Sequence, residues 1–267
     1  MIKLLWFIPQ PEQDIEDFES WYQDELVPAG MRQEFLQRFR ISRSFYPQPD
    51  FVVQATGSNI PRSYRFSEGY WQNVEDIRRC YLSVHGRAAL ADGRLNMAPP
   101  STPTAPSPVL VTEEEVFPVA EELSFNLREG RYRGSLACKL FGFVRLRDGA
   151  TETFDNRYRA LASKASTNRD LRGHVLGHVV HETVRLGRIM QWPPIGAEHF
   201  DRTLEFYFES RESLDQYCSS QWMAEVVGLV EECAAAKTWD AAQFQEVFYT
   251  SIGRQPLEES WKELYRS

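Results

Sequence analysis

Apolar and polar positions along this chain change period several times, and each change marks an element. Residues 2–8 (IKLLWFI) form a short apolar run ending at Pro9, which reads as an opening β-strand rather than a signal peptide or bilayer span. Ile15, Phe18 and Tyr22 then share one helical face, and Pro28 is expected to interrupt that helix. The stretch Phe39-Arg40-Ile41-Ser42-Arg43-Ser44-Phe45 largely alternates, which predicts a strand over 39–46. Strands follow over 64–72 and 109–117, with a helix between them capped by Asn73, Asp76 lying three residues on. The second half predicts strands over 136–146, 173–184, 202–209 and 243–250. Its first helix carries Phe154, Tyr158, Leu161 and Ala165 on one face with Thr151 as cap, and Ser210 opens its second. Each half thus reads β-α-β-β-α-β.

The two readings superimpose. Lys3-Leu4 matches Lys139-Leu140, and Phe18…Tyr22 matches Phe154…Tyr158, both at an offset of 136. Glu68-Gly69-Tyr70-Trp71 matches Glu205-Phe206-Tyr207-Phe208 at 137, and Glu115-Val116-Phe117 matches Glu246-Val247-Phe248 at 131. The later drop follows from an extra Pro-rich segment, 99–108, in the first half. The expected organisation is a ferredoxin-like repeat over 1–118, a linker over 119–134, a second repeat over 135–253 and a tail over 254–267. Such a unit makes a four-stranded antiparallel sheet with helices on one face, and its bare face must be buried. Two units on one chain can bury those faces against each other as an internal pseudo-dimer. Further homo-oligomerisation through the outer edges is left open.

Phe18-x-x-Trp21-Tyr22…Val27-Pro28 and Glu68-x-Tyr70-Trp71, with Phe154-x-x-x-Tyr158 and Glu205-x-Tyr207-Phe208, resemble the EthD-like branch of the dimeric α+β barrel superfamily. The resemblance implies an α+β fold of two tandem ferredoxin-like repeats forming an internal dimeric α+β barrel. It also implies cofactor-free chemistry (rearrangement, cyclisation, dehydration, decarboxylation or oxidation) on small aromatic, lactone or polyketide substrates. Some members have no known chemistry, and distant ones hold haem, for which no suitable helix histidine is evident here. Family members commonly carry a histidine on the first helix just before Val-Pro. Leu26 and Ala162 stand there in the two halves, so that acid/base residue is absent from both.

Composition narrows the partners. With 38 Asp+Glu against 30 Lys+Arg the formal charge is −8, which disfavours nucleic acid and anionic membrane surfaces. The four cysteines form no CxxC pair and read as reduced thiols of a cytoplasmic protein.

Candidate chemistry is sparse. His174, His178 and His181 fall on a Val-rich strand, where His174 and His178 would be roughly 13 Å apart. Zinc–ligand distances are about 2 Å, so no shared metal is expected. His178, nearest the strand centre, is the candidate proton carrier, and His174 a candidate ligand contact. Glu205 and Tyr207 share one face of their strand; they are candidates to assist that proton transfer and to hold a developing oxyanion. Tyr158, Tyr70 and Arg40 are candidate substrate contacts. Against this stands a structural reading in which Lys3 pairs with Glu68 and Lys139 with Glu205, because a buried carboxylate needs a partner. Two function classes follow: a cofactor-independent lyase or isomerase acting on a small aromatic, lactone or polycyclic substrate, and a non-catalytic small-molecule-binding or accessory protein that kept the fold. Neither requires a cofactor.

Overall fold

A computed structural model of the chain describes residues 2–8, 14–44, 50–56, 65–91, 109–118, 137–168, 177–183, 201–208, 210–235 and 243–250. The first half contains β1 (Ile2–Ile8), α1 (Ile15–Trp21), a π-helical turn (Tyr22–Leu26), α2 (Val27–Met31), β2 (Arg38–Ser44), α3 (Asp50–Thr56), β3 (Arg65–Trp71), α4 (Val74–Leu82), α5 (Val84–Ala91) and β4 (Val109–Pro118). The second contains β5 (Ala137–Val144), α6 (Thr151–Thr167), β6 (Gly177–Thr183), β7 (Arg202–Phe208), α7 (Arg211–Cys218), α8 (Gln221–Cys233) and β8 (Gln243–Thr250). The linker 119–134, the tail 254–267 and the Pro-rich segment 99–108 lie outside the described residues.

The eight strands close into one antiparallel barrel in the order β1-β3-β2-β8-β5-β7-β6-β4. The sequence implied two sheets meeting face to face; here they also join edge to edge. Each half contributes a four-strand set, β4-β1-β3-β2 or β8-β5-β7-β6. The outer strands of the two sets hydrogen-bond to each other, β2 with β8 and β4 with β6. Closure removes the exposed N–H and C=O groups that two separate sheets would leave at their edges. A register shift between Glu113 and Glu115 accommodates the β4–β6 junction.

The caps follow the sequence with one exception. Asn73 Oδ1 accepts from the Asp76 amide at 2.9 Å, and Ser210 Oγ from the Ser213 amide at 3.1 Å. Thr151 is instead the first helical residue, and Ala150 holds the cap position without a side-chain bond. Pro28 does not stop the first helix. It lies inside α2, and the turn before it widens to a π-helix in which the Val27 amide donates to the Tyr22 carbonyl. Proline has no N–H and its ring crowds the carbonyl four residues back, so the wider turn carries the chain past it.

Two layers flank the barrel wall. The second half packs β5 and β7 under α6, α7 and α8 in one continuous core that includes Leu140, Phe154, Leu204, Phe206, Tyr217 and Trp222. The first half buries Leu4, Phe18, Trp21, Tyr22, Trp71, Ile77 and Tyr81. Cys80, Cys218 and Cys233 are free thiols, and burial pushes Cys80 up to about 12. No helix among the described residues is long and apolar enough to cross a membrane.

Candidate functional site

Strand alternation sends Leu4, Leu140, Leu204 and Phe206 toward the helices and their neighbours Lys3, Lys139, Thr203 and Glu205 into the barrel. Lys3 stands opposite Tyr70 across the β1–β3 ladder, and Leu5 opposite Glu68, so Lys3 and Glu68 are diagonal neighbours on one face. The β5–β7 ladder sets Lys139 opposite Tyr207 and Phe141 opposite Glu205, the same arrangement.

These side chains converge from both halves. Lys3 Nζ lies 2.9 Å from Glu68 Oε1 and also donates to Glu205 Oε1. Lys139 Nζ lies 2.8 Å from Glu68 Oε1 and 2.7 Å from Glu205 Oε2. The within-half pairs expected from the sequence are therefore present, and each lysine also bridges to the other half's glutamate. The Tyr207 hydroxyl donates to Glu205 Oε2 at 2.8 Å. The Lys3 and Lys139 ammonium groups lie 5.5 Å and 4.8 Å from the Tyr70 and Tyr207 ring centroids. None of the six side chains is more than 3% exposed. Burial alone disfavours the Lys3 ammonium, but the Glu205 and then the Glu68 carboxylate outweigh it and hold the amine above its ordinary value. The centre of the barrel is thus a closed tetrad of alternating charge.

The helix-facing side of the same strands differs between halves. β3 presents Arg65, Ser67, Gly69 and Trp71 there, and β7 presents Arg202, Leu204, Phe206 and Phe208. Arg65 pairs through a forked contact with Glu19 on α1, its Nε at 3.0 Å, and Arg202 forks onto Asp155 on α6 at 2.9 and 2.8 Å. Between the arginine and the tryptophan, the first half holds a buried hydroxyl pair, Tyr22 Oη and Ser67 Oγ at 2.7 Å, with the Arg65 guanidinium 4.9 Å from the Tyr22 ring centroid. The Trp71 ring covers Gly69 so closely that a Cβ there would overlap it.

The sequence-derived candidates separate accordingly. Glu205 and Tyr207 meet at the tetrad, and Tyr70 lies beside it. Tyr158 lies on the other side of the wall, stacked on Phe154 in the helical core with ring centroids 5.8 Å apart; burial raises its hydroxyl above the ordinary tyrosine range. In backbone register His178 stands opposite Phe206 and Phe117, Val179 stands opposite Glu205, and Arg40 opposite Glu68. The side chains of His178 and Arg40 lie outside the described residues, as does all of His174. Among the described residues no group of three His, Cys, Asp or Glu could hold a metal ion. The sequence reading missed the crossed Lys3–Glu205 and Lys139–Glu68 contacts and the Arg65–Glu19 and Arg202–Asp155 forks. The forks had a signal: the two arginines, and the two acids, are spaced by 137 and 136 residues, as the glutamates and lysines of the tetrad are.

No family model and no curated protein matches this chain. Solved structures do. An anthrone oxidase-like protein aligns over 94% of this chain and 92% of its own at a TM-score of 0.58 and 12% identity. A candidate monooxygenase from Fusobacterium nucleatum subsp. nucleatum aligns over 94% of both chains at a TM-score of 0.51 and 6% identity. At these identities the likeness is one of fold: the chain shares the α+β barrel architecture of these proteins.

Proposed function

We propose that this chain is a tandem EthD-like protein, two ferredoxin-like repeats in one internal barrel, that binds a small aromatic or lactone ligand without a cofactor and no longer uses its barrel centre for chemistry. One observation carries the reading. Both carboxylate oxygens of Glu205 are engaged by Lys3, Lys139 and Tyr207, and all of these groups are shut off from solvent. A general base must reach the proton that it removes, directly or through one water. A carboxylate held by two ammonium groups and a phenol is placed to hold the barrel together instead. The helix–sheet space of the second half is likewise filled with apolar side chains.

The cofactor-independent lyase or isomerase reading is the alternative, and one feature favours it. The π-helical turn covers Leu26, where the family resemblance sets a histidine, and the buried Tyr22–Ser67 hydroxyl pair lies at the start of that turn. Single π-turns inside α-helices are frequent at functional sites. Thermal-shift screening with hydroxylated aromatics and lactones separates the two. The binding reading expects stabilisation by a ligand that is recovered unchanged, and His178→Ala should leave that stabilisation intact. Turnover that falls by about 10²–10⁴-fold in His178→Ala, with the fold preserved, would overturn it.

A further inference from the structure

The tetrad has a property that none of its single contacts has: it is self-complementary. Each half brings one lysine on its first strand and one glutamate on its third, and each lysine touches both glutamates. We infer that these four residues act as a pairing code. They select the partner sheet that closes the barrel, and any sheet with the same Lys/Glu order fits, including that of a second copy of this chain.

Charge order carries the inference. At the barrel centre each ammonium contacts two carboxylates, and all four groups are out of water. A misordered sheet would set like charges together without solvent to screen them, which costs far more than a mismatched surface pair. The apolar faces cannot supply that selectivity, because hydrophobic burial is non-directional. The matching half on the same chain wins in the native protein because the covalent connection gives it a high effective concentration. Inverting one half alone, by Lys3→Glu with Glu68→Lys, sets the introduced carboxylate against Glu205 and the introduced ammonium against Lys139. The internal barrel is then mispaired. Two such chains can still pair first half with first half and second with second, every contact remaining opposite in sign.

The test is a charge-inversion series in the full chain. Tyr207→Phe is present throughout, so that its hydroxyl favours no member. The members are the parent, the first-half inversion, the second-half inversion (Lys139→Glu with Glu205→Lys) and the fourfold inversion. Light scattering and urea unfolding are the readouts. The code expects both half-inversions to double the parent's mass or lose its cooperative unfolding, and the fourfold inversion to restore both. A half-inverted chain with the parent's mass and midpoint overturns it, as does a fourfold inversion no better than either half. Should the inverted chains precipitate, a neutral cycle decides. Lys3→Met and Glu205→Gln, singly and together, should couple across the halves by about tenfold or more in the unfolding constant, and additivity overturns the inference.

Discussion

The inner and outer faces of the two halves behave differently. Inside the barrel, Lys3, Glu68 and Tyr70 have the same placement as Lys139, Glu205 and Tyr207, and the two sets bond to one another. On the helical side, the arginine–acid forks, the stacked Phe–Tyr pairs and the buried Leu4 and Leu140 match, but much of the rest does not. Ser67 and Gly69 stand where the second half has Leu204 and Phe206, and a π-turn stands where the second half has unbroken helix. The inner faces contact each other, so a change in one must suit the other. Each outer face packs chiefly on its own helices, although Phe51 on α3 reaches the second half's core, and so has more freedom to differ.

The largest expected effect tests the matched interior. Glu68→Ala and Glu205→Ala each leave two buried ammonium groups sharing one carboxylate, and each should cost about 3–5 kcal/mol in urea unfolding. A large loss from one with none from the other would break the equivalence of the halves. Phe206→Ala should cost about the same, 3–5 kcal/mol, by opening a cavity in the second half's core. Ser67→Ala two residues before the matching position takes a partner from the buried Tyr22 hydroxyl and should cost about 1–3 kcal/mol, less than Phe206→Ala, and equal losses would erase the outer-face contrast. Gly69→Ala should cost about 1–3 kcal/mol through overpacking on Trp71, with circular dichroism showing the fold retained.

The smallest effect is a dependence on alkaline pH. The folded Lys3 amine holds its proton above the ordinary lysine value. Its stabilisation is therefore fully present at neutral pH. It is lost as pH rises past the unfolded value and through the folded one, because the native state then binds more protons than the unfolded chain. The difference in urea midpoint between the parent and Lys3→Met should stay constant from pH 6 to 9, roughly, and narrow above about 10.4. A difference that narrows toward acid would contradict the assignment.

Much of the architecture was legible in the chain. Periodicity marked the barrel strands and the main helices, and Asn73 and Ser210 marked helix starts by their side-chain chemistry. The offsets of 136 and 137 aligned Lys3 with Lys139 and Glu68 with Glu205, and the need of a buried carboxylate for a cation paired them within each half. Helix α3 was missed: only seven residues long, between β2 and β3, it offers less than two turns of periodicity. The π-turn was missed because its cause, a proline after an unbroken helical pattern, reads as a stop in one dimension.

What the sequence determined by itself is therefore what neighbouring residues and parity control: which segments are strands, which face of each is polar, and which residue types recur. Only the tertiary structure decided that each lysine spans both halves, that β2 joins β8 and β4 joins β6, and that Glu205 is buried against Lys3, Lys139 and Tyr207. Those outcomes depend on how two sheets far apart along the chain are set against each other. Local periodicity carries no term for that placement, whereas the Coulomb energy of four buried charges is fixed by it.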